Sequence, residues 1–131
     1  MSRILGVDFG SRKVGFAIGD TESKIAFPRK VFYYQENKEL LKEIENLIDQ
    51  EDIEVIVWGL PLNMKGERTA QTDMTTTFAT KIKSLLKIKT VFQDERLSTK
   101  EAQNLFQEKE TAGEDSLAAQ IILQNYFDKH Q

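Results

Sequence analysis

The stretch RILGVDFGSRKVGFAIGD, residues 3–20, decides how this chain folds. Ile4, Leu5, Val7 and Phe9 supply apolar side chains to both faces of an extended segment, so residues 3–9 read as a strand buried on both sides. The turn GSRK follows, and VGFAIG at 14–19 reads as the returning strand of a hairpin. One acid, Asp8, interrupts the first strand, with Gly6 and Gly10 on either side. An ionised carboxylate buried without a partner costs several kcal/mol. Backbone donors, a cation of the protein or a metal ion must therefore stand near Asp8. The flanking glycines leave room for a ligand or for another backbone to approach. The plainer alternative is a turn in which Asp8 accepts from the amide of Gly10 or Ser11.

The pattern continues outward from this hairpin. Residues 25–34, with Val31, Phe32, Tyr33 and Tyr34, read as a third strand, which Pro28 starts irregularly or places at an edge. Leu40, Leu41, Ile44, Leu47 and Ile48 recur at helical spacing over 37–51. EVIVWG at 54–59 is a short apolar run typical of a central parallel strand, and LPLNMKGE after it reads as loop. A second helix is expected over 68–86, with Met74, Phe78, Ile82 and Leu85 inward. KTVFQ at 89–93 is the next strand. Ser98 and Glu101 then form a capping box for a short helix to 108, Gly113 breaks the chain, and a last helix runs over 115–129. The order β-β-β-α-β-α-β-α-α predicts an α/β fold. Its five-stranded mixed sheet has three antiparallel strands, then two parallel ones, with helices on its faces.

Composition narrows the chemistry. A chain of 131 residues fits one domain, 1–131. It has no cysteine, which excludes disulfides, thiolate metal sites and cysteine catalysis. Its one histidine, His130, is the second-last residue, a poor place for a Ser-His-Asp site. No apolar run approaches the roughly 20 residues of a membrane span. Asp8 and Arg12 fall inside what would be the apolar part of a signal peptide, so the expected location is the cytoplasm. The net charge of −3 argues against a surface that coats nucleic acid broadly, but it permits a local basic rim around an acidic site. No repeat, low-complexity tract or linker interrupts the chain.

Two further acids stand where a ligand would gather. Gln93-Asp94-Glu95-Arg96 lies at the carboxyl end of a predicted strand, the usual ligand position in open α/β sheets. The bland alternative is a solvated loop in which Arg96 pairs an acid. Glu114-Asp115 opens the last helix, where an acid caps the helix and suits its dipole. The same helix continues with Ala118, Ala119 and Ile122, small enough to let its first turn sit close to the sheet. Carboxylates from a first-strand end, a late-strand end and a last-helix start can thus meet at one point. Their mutual repulsion calls for a hard divalent cation. Mg²⁺ and Mn²⁺ suit such oxygen ligands. One ion, or two about 4 Å apart, can activate a water and stabilise the leaving oxygen of a phosphodiester.

The ribonuclease H-like sheet has this architecture. So does each half of the actin-like ATPases, which place Asp-x-Gly at their first turn. Four segments carry a more specific resemblance: ILGVDFGSRKVGFAIGD, VWGLPLNMKG, FQDERLSTKEA and DSLAAQIILQNYF. In this order they resemble the YqgF/RuvX family, relatives of the RuvC resolvases in the ribonuclease H-like superfamily. The resemblance implies that Asp8, Glu95 and Asp115 form the catalytic, metal-binding triad. Asp94 is the nearest substitute for Glu95, and strand alternation turns the two to opposite faces. It also implies metal-dependent endonuclease activity maturing the 5′ end of 16S rRNA from its precursor, or, by likeness to RuvC, resolution of Holliday junctions in DNA. The expected partner is therefore nucleic acid. Arg12, Lys13, Asn63, Lys65, Arg68 and Arg96 are the candidate substrate contacts. Arg96 is also placed to pair with Asp94 or Glu95, and Asp20 to cap a turn.

The stretch 107–114, QEKETAGE, is short and net acidic where many relatives carry a longer basic one. The shortening leaves activity weaker, or dependent on a partner such as a ribosomal particle. Two other readings remain: a small actin-like ATP-binding module, opposed by the lack of a second glycine-rich loop, and a catalytically silent binding protein on the same fold. A resolvase acting on a two-fold junction favours a dimer. No long apolar stripe announces one, so the expected state is a monomer or weak dimer.

Overall fold

The computed structural model describes residues 2–95 and 114–130, with Glu114 and Asp115 described by their backbone alone. Five strands form one sheet: β1 (Arg3–Phe9), β2 (Lys13–Asp20), β3 (Phe27–Tyr33), β4 (Ile53–Pro61) and β5 (Lys89–Glu95). Three described helices accompany them: α1 (Asn37–Glu51), α2 (Ala70–Leu86) and α3 (Glu114–Lys129). The strand order is β3-β2-β1-β4-β5. β1–β2 and β2–β3 pair antiparallel, and β1–β4 and β4–β5 pair parallel. The mixed sheet read from the sequence is therefore the sheet observed. Pro28 lies on the outer strand β3, where a missing N–H costs least. The capping box at Ser98 and the short helix to 108 lie outside the described residues.

The ends of the elements explain most departures in detail. β4 continues through Leu60 and Pro61, residues expected in a loop, because β5 itself extends to Asp94 and Glu95 and pairs with them. The third strand is shorter than expected, Phe27–Tyr33 rather than 25–34, and the second is longer by Lys13 and Asp20. α2 starts at Ala70, not 68: Thr69 caps it, with Thr72 N–H donating to Thr69 Oγ1 (3.3 Å) and Thr69 N–H donating to Thr72 Oγ1 (2.9 Å). Its inner face also differs. Phe78 and Ile82 are buried as expected, but Met74 and Leu85 are exposed. Thr72, Thr75 and Ala79 take the inward positions, the Thr75 hydroxyl being satisfied by Gln71 C=O at 2.9 Å.

The sheet separates two apolar layers. One face packs Leu5, Val7, Phe9, Phe16, Ile56 and Trp58 against Leu40, Ile44 and Leu47 of α1 and Phe78 and Ile82 of α2. Phe9 stacks on Phe78 at 5.0 Å, and Trp58 meets Phe78 edge-on at 6.0 Å. The other face packs Ile4, Ala17 and Val57 under Ala119, Ile122, Leu123 and Phe127 of α3. No described helix is long and apolar enough to cross a membrane.

Candidate active site

Asp8 lies one residue before the end of central strand β1, and it is half-buried. Alternation gives it the face of Ile4 and Gly6, the one covered by α3. A β-carbon on Gly6 would stand 2.8 Å from Leu123 Cβ and 3.1 Å from Ala119 O, so this glycine is needed for the helix to approach. One on Gly10 would stand 2.5 Å from Lys13 O, inside the hairpin turn. Of the two openings expected beside Asp8, both are filled by the protein's own backbone and helix.

The packing also orients α3. Ala119 and Leu123 lie over Gly6, and Phe127 lies over Gly19, the cross-strand partner of Ile4. The helix therefore runs antiparallel to β1. Its first turn, which holds Asp115 and buried Ser116, points toward the end of β1 that carries Asp8.

Glu95 ends β5 on the same face. Val91 packs in the layer under α3, Gln93 is buried, and Glu95 follows at the next inward position, while Asp94 is exposed on the other side. Glu95 Cγ lies 3.6 Å from where a β-carbon on Gly59 would be. Asn125 Nδ2 of α3 donates to Glu95 Oε1 at 3.3 Å. The strand ends thus supply Asp8 and Glu95 beneath one helix. Among the described residues no group of three His, Asp or Glu side chains is placed to hold a metal ion, and the Asp115 carboxylate lies outside them.

The expected cationic contacts divide by their bonding. Arg12 is exposed in the hairpin turn and Lys13 begins β2, both lining a groove of about 550 Å³ with Asp8, Tyr33, Pro61 and Gln71. Lys65 is exposed. Asn63 is spent within its own loop: its Oδ1 accepts from Lys65 N–H and Glu67 N–H, each at 2.9 Å, and its Nδ2 donates to Glu67 Oε1 at 3.0 Å. Gly66 closes that loop with φ of 81°, a conformation glycine adopts freely. Arg68 Nε donates to Asp73 Oδ1, and its Nη2 to Thr76 Oγ1, both at 2.9 Å, which ties it to α2. Arg96 and residues 107–113 lie outside the described residues. Asp20 caps a turn as expected, its Oδ1 accepting from Glu22 N–H (2.9 Å) and Ser23 N–H (2.7 Å). Those bonds, Ser23's above all, hold its carboxyl below the ordinary value.

Several residues at this end carried no sequence signal of their own. Tyr34 is buried, donates its hydroxyl to Gly10 C=O, and gives its N–H to Arg12 C=O at 2.9 Å. Burial pushes its phenol above the ordinary 10.0. Gln71 Nε2 donates to Phe9 C=O at 3.0 Å. Thr72 Oγ1 donates to Pro61 C=O and joins the start of α2 to the end of β4. A tyrosine in a strand and a glutamine in a helix look generic in sequence. Only the fold brings them to the Asp8 turn.

This sheet, with acids at the ends of its central and outer parallel strands under a final helix, is the ribonuclease H-like architecture. Solved structures share it. The RuvC of T. thermophilus in complex with a Holliday junction substrate superposes with a TM-score of 0.61 at 11% identity, covering 99% of this chain and 96% of that one. The fowlpox virus Holliday junction resolvase gives a TM-score of 0.62 at 11% identity, covering 98% and 99%. At such identities the likeness is one of fold. Sequence makes the assignment finer: residues 2–129 match the model of the RuvX family, described as Holliday junction resolvase, and the chain belongs to that family. A relative from Caldanaerobacter subterraneus subsp. tengcongensis, named "Putative pre-16S rRNA nuclease", is 36% identical over 136 residues, spanning 98% of each chain. One of the same name from Mesomycoplasma hyopneumoniae is 36% identical over 134 residues, 96% of this chain and 94% of its own.

Proposed function

We propose that this chain is a divalent-metal-dependent endonuclease that trims the 5′ end of precursor 16S rRNA. The observation that carries the reading is Asp8, a half-buried carboxylate at the end of the central strand. Its face is shared with Glu95, and the first turn of α3, with Asp115, is directed toward it. An all-oxygen donor set of this kind suits Mg²⁺ or Mn²⁺. Asp8, Glu95 and Asp115 would hold one or two ions, which supply an activated water and stabilise the leaving oxygen. Arg12 and Lys13, beside Asp8 in one groove, hold a backbone phosphate, with Lys65 as an outer contact. Asn63 and Arg68 act by shaping the loop after β4. The names of the relatives support rRNA as substrate. The reading places the chain, as one unit over 1–131, in the cytoplasm as a monomer or weak dimer, with a ribosomal particle as partner.

The description of the family model favours a second reading, cleavage of four-way DNA junctions. One assay separates the two. Wild type and Asp8→Asn are given a precursor 16S leader RNA and a four-way DNA junction in Mg²⁺ and in Mn²⁺. Cutting of the RNA alone, lost in Asp8→Asn, is the expected result. Symmetric cutting of the junction moves the assignment to the second reading. A folded wild type that cuts neither sinks the self-sufficient nuclease and leaves the silent binding protein or a missing partner.

A further inference from the structure

The groove beside Asp8 has an aromatic wall that the nuclease chemistry does not use. Tyr33 is 71% exposed, the most exposed of the large apolar side chains among the described residues. It lines the same groove as Asp8, Arg12 and Lys13. Strand register fixes its side. Asp8 pairs with Gly15, Gly15 with Val31, and Lys13 with Tyr33, so Asp8, Lys13 and Tyr33 all project from one face of the sheet. Two strand spacings and two residues along the strand put Tyr33 about 12 Å from Asp8, near enough for one bound strand to span both.

The backbone that carries the ring is also held in place. Its neighbour Tyr34 is buried, with its hydroxyl on Gly10 C=O and its N–H on Arg12 C=O. β3 at Tyr33 is thereby pinned to the turn that carries Arg12. A ring on a fixed backbone has only its side-chain freedom left to lose when it stacks a base. An exposed aromatic beside cations that face phosphates is how unpaired nucleic acid is gripped, since every base has a stacking face and a paired one keeps its own buried in the duplex.

We propose that Tyr33 stacks an unpaired base of the strand whose backbone enters the Asp8 groove, and so makes the site select single strands over duplex. This rests on the nuclease reading above, which supplies the strand.

The test is a fluorescence anisotropy titration in EDTA, so that nothing is cut, with an unstructured RNA and the duplex of the same length. Wild type, Tyr33→Ala, Tyr33→Thr and Tyr33→Phe are compared. A companion strand carrying 2-aminopurine reports stacking by its quench. Tyr33→Ala and Tyr33→Thr are expected to weaken the unpaired strand about tenfold or more, to leave the duplex unchanged and to lose the quench. Tyr33→Phe keeps the ring and binds and quenches as wild type. Tyr33→Thr keeps a good strand-former at this edge and guards against a folding loss. Unchanged binding in the ringless variants overturns the proposal, as does an equal loss for strand and duplex. Cleavage of the unpaired strand in Mn²⁺ is read alongside. If wild type cuts it while Tyr33→Ala binds it normally, the stacking role falls and the nuclease stands. If wild type neither binds nor cuts any strand, both fall.

Discussion

The two faces of the sheet are built from the same strands and differ in depth. Under α1 and α2 the layer is made of large side chains, Phe9, Phe16, Trp58, Leu40 and Ile44 among them. Under α3 it is thin: Gly6, Gly19 and Gly59 meet Leu123, Phe127 and Ile122 directly. The thick face carries most of the apolar burial and hence most of the stability. The thin face gives up volume so that one helix lies close to the strand ends. Only on that face do an acid, a buried Gln93 and the Glu95–Asn125 bond occur together. On the proposed function, stability and chemistry lie on opposite sides of one sheet, and mutations should separate them.

The largest expected effect lies on the thick face. Leu40 is fully buried. Leu40→Ala should cost about 2–5 kcal/mol by transfer and cavity, seen as a lower urea midpoint, while cleavage per folded molecule stays at the wild-type level. A matching loss of cleavage in the folded fraction would break the division between faces. The next effect lies on the thin face. Gly6→Ala puts a β-carbon 2.8 Å from Leu123 Cβ and 3.1 Å from the Ala119 carbonyl, neither of which can rotate away. Overpacking of this kind costs about 1–3 kcal/mol. Because relief requires lifting α3, which carries Asp115, Gly6→Ala should lose far more activity than its stability loss explains. Normal activity in a destabilised Gly6→Ala would detach α3 from the site.

How legible each face was in the sequence follows from its physics. The thick face announces itself by periodicity: Leu40, Ile44 and Leu47 at helical spacing, and a double-sided apolar run in β1. α1 accordingly begins and ends where its pattern does, at 37 and 51. Asp8 was legible because a charge inside such a run violates the pattern. The thin face was legible only as isolated glycines and alanines, whose partners on α3 lie far along the chain, as Leu123 does from Gly6 and Ile122 from Gly59. The inner face of α2 was misread because periodicity counts Met74 and Leu85 as apolar, whereas threonines whose hydroxyls reach a main-chain carbonyl, Thr75 on Gln71 and Thr72 on Pro61, take the inward positions. Tyr34 and Gln71 bond main-chain carbonyls at the Asp8 turn, and such bonds leave no trace in residue type.

Tyr34 tests whether the turn beside Asp8 depends on the thick face, where its ring is buried. Tyr34→Phe keeps the ring and removes the hydroxyl from Gly10 C=O, a loss of about 0.5–1.5 kcal/mol. The same hydroxyl gives a pH dependence. Burial raises the phenol's pKa in the folded state above its ordinary 10.0. Its contribution is therefore complete below pH 10 and is lost as pH rises through the folded value. Wild type should lose stability in that alkaline range, and Tyr34→Phe should lose less. Coincident curves for the two proteins would show that the hydroxyl contributes nothing to the turn.

The smallest expected effect marks where the thick face stops. Met74 is 46% exposed on α2, at the edge of a shallow groove shared with Phe9, Tyr34 and Phe78. Its inward neighbours Phe78 and Ile82 are buried one and two turns further on. Met74→Gln keeps the chain's length and its helix propensity, so stability should change by no more than about 0.5 kcal/mol. The thermal midpoint then stays with wild type, in contrast to Leu40→Ala. A large drop would mean that the apolar layer reaches past Phe78 to the rim of the Asp8 turn. In that case the side of the sheet that supplies stability would also set the position of the acid.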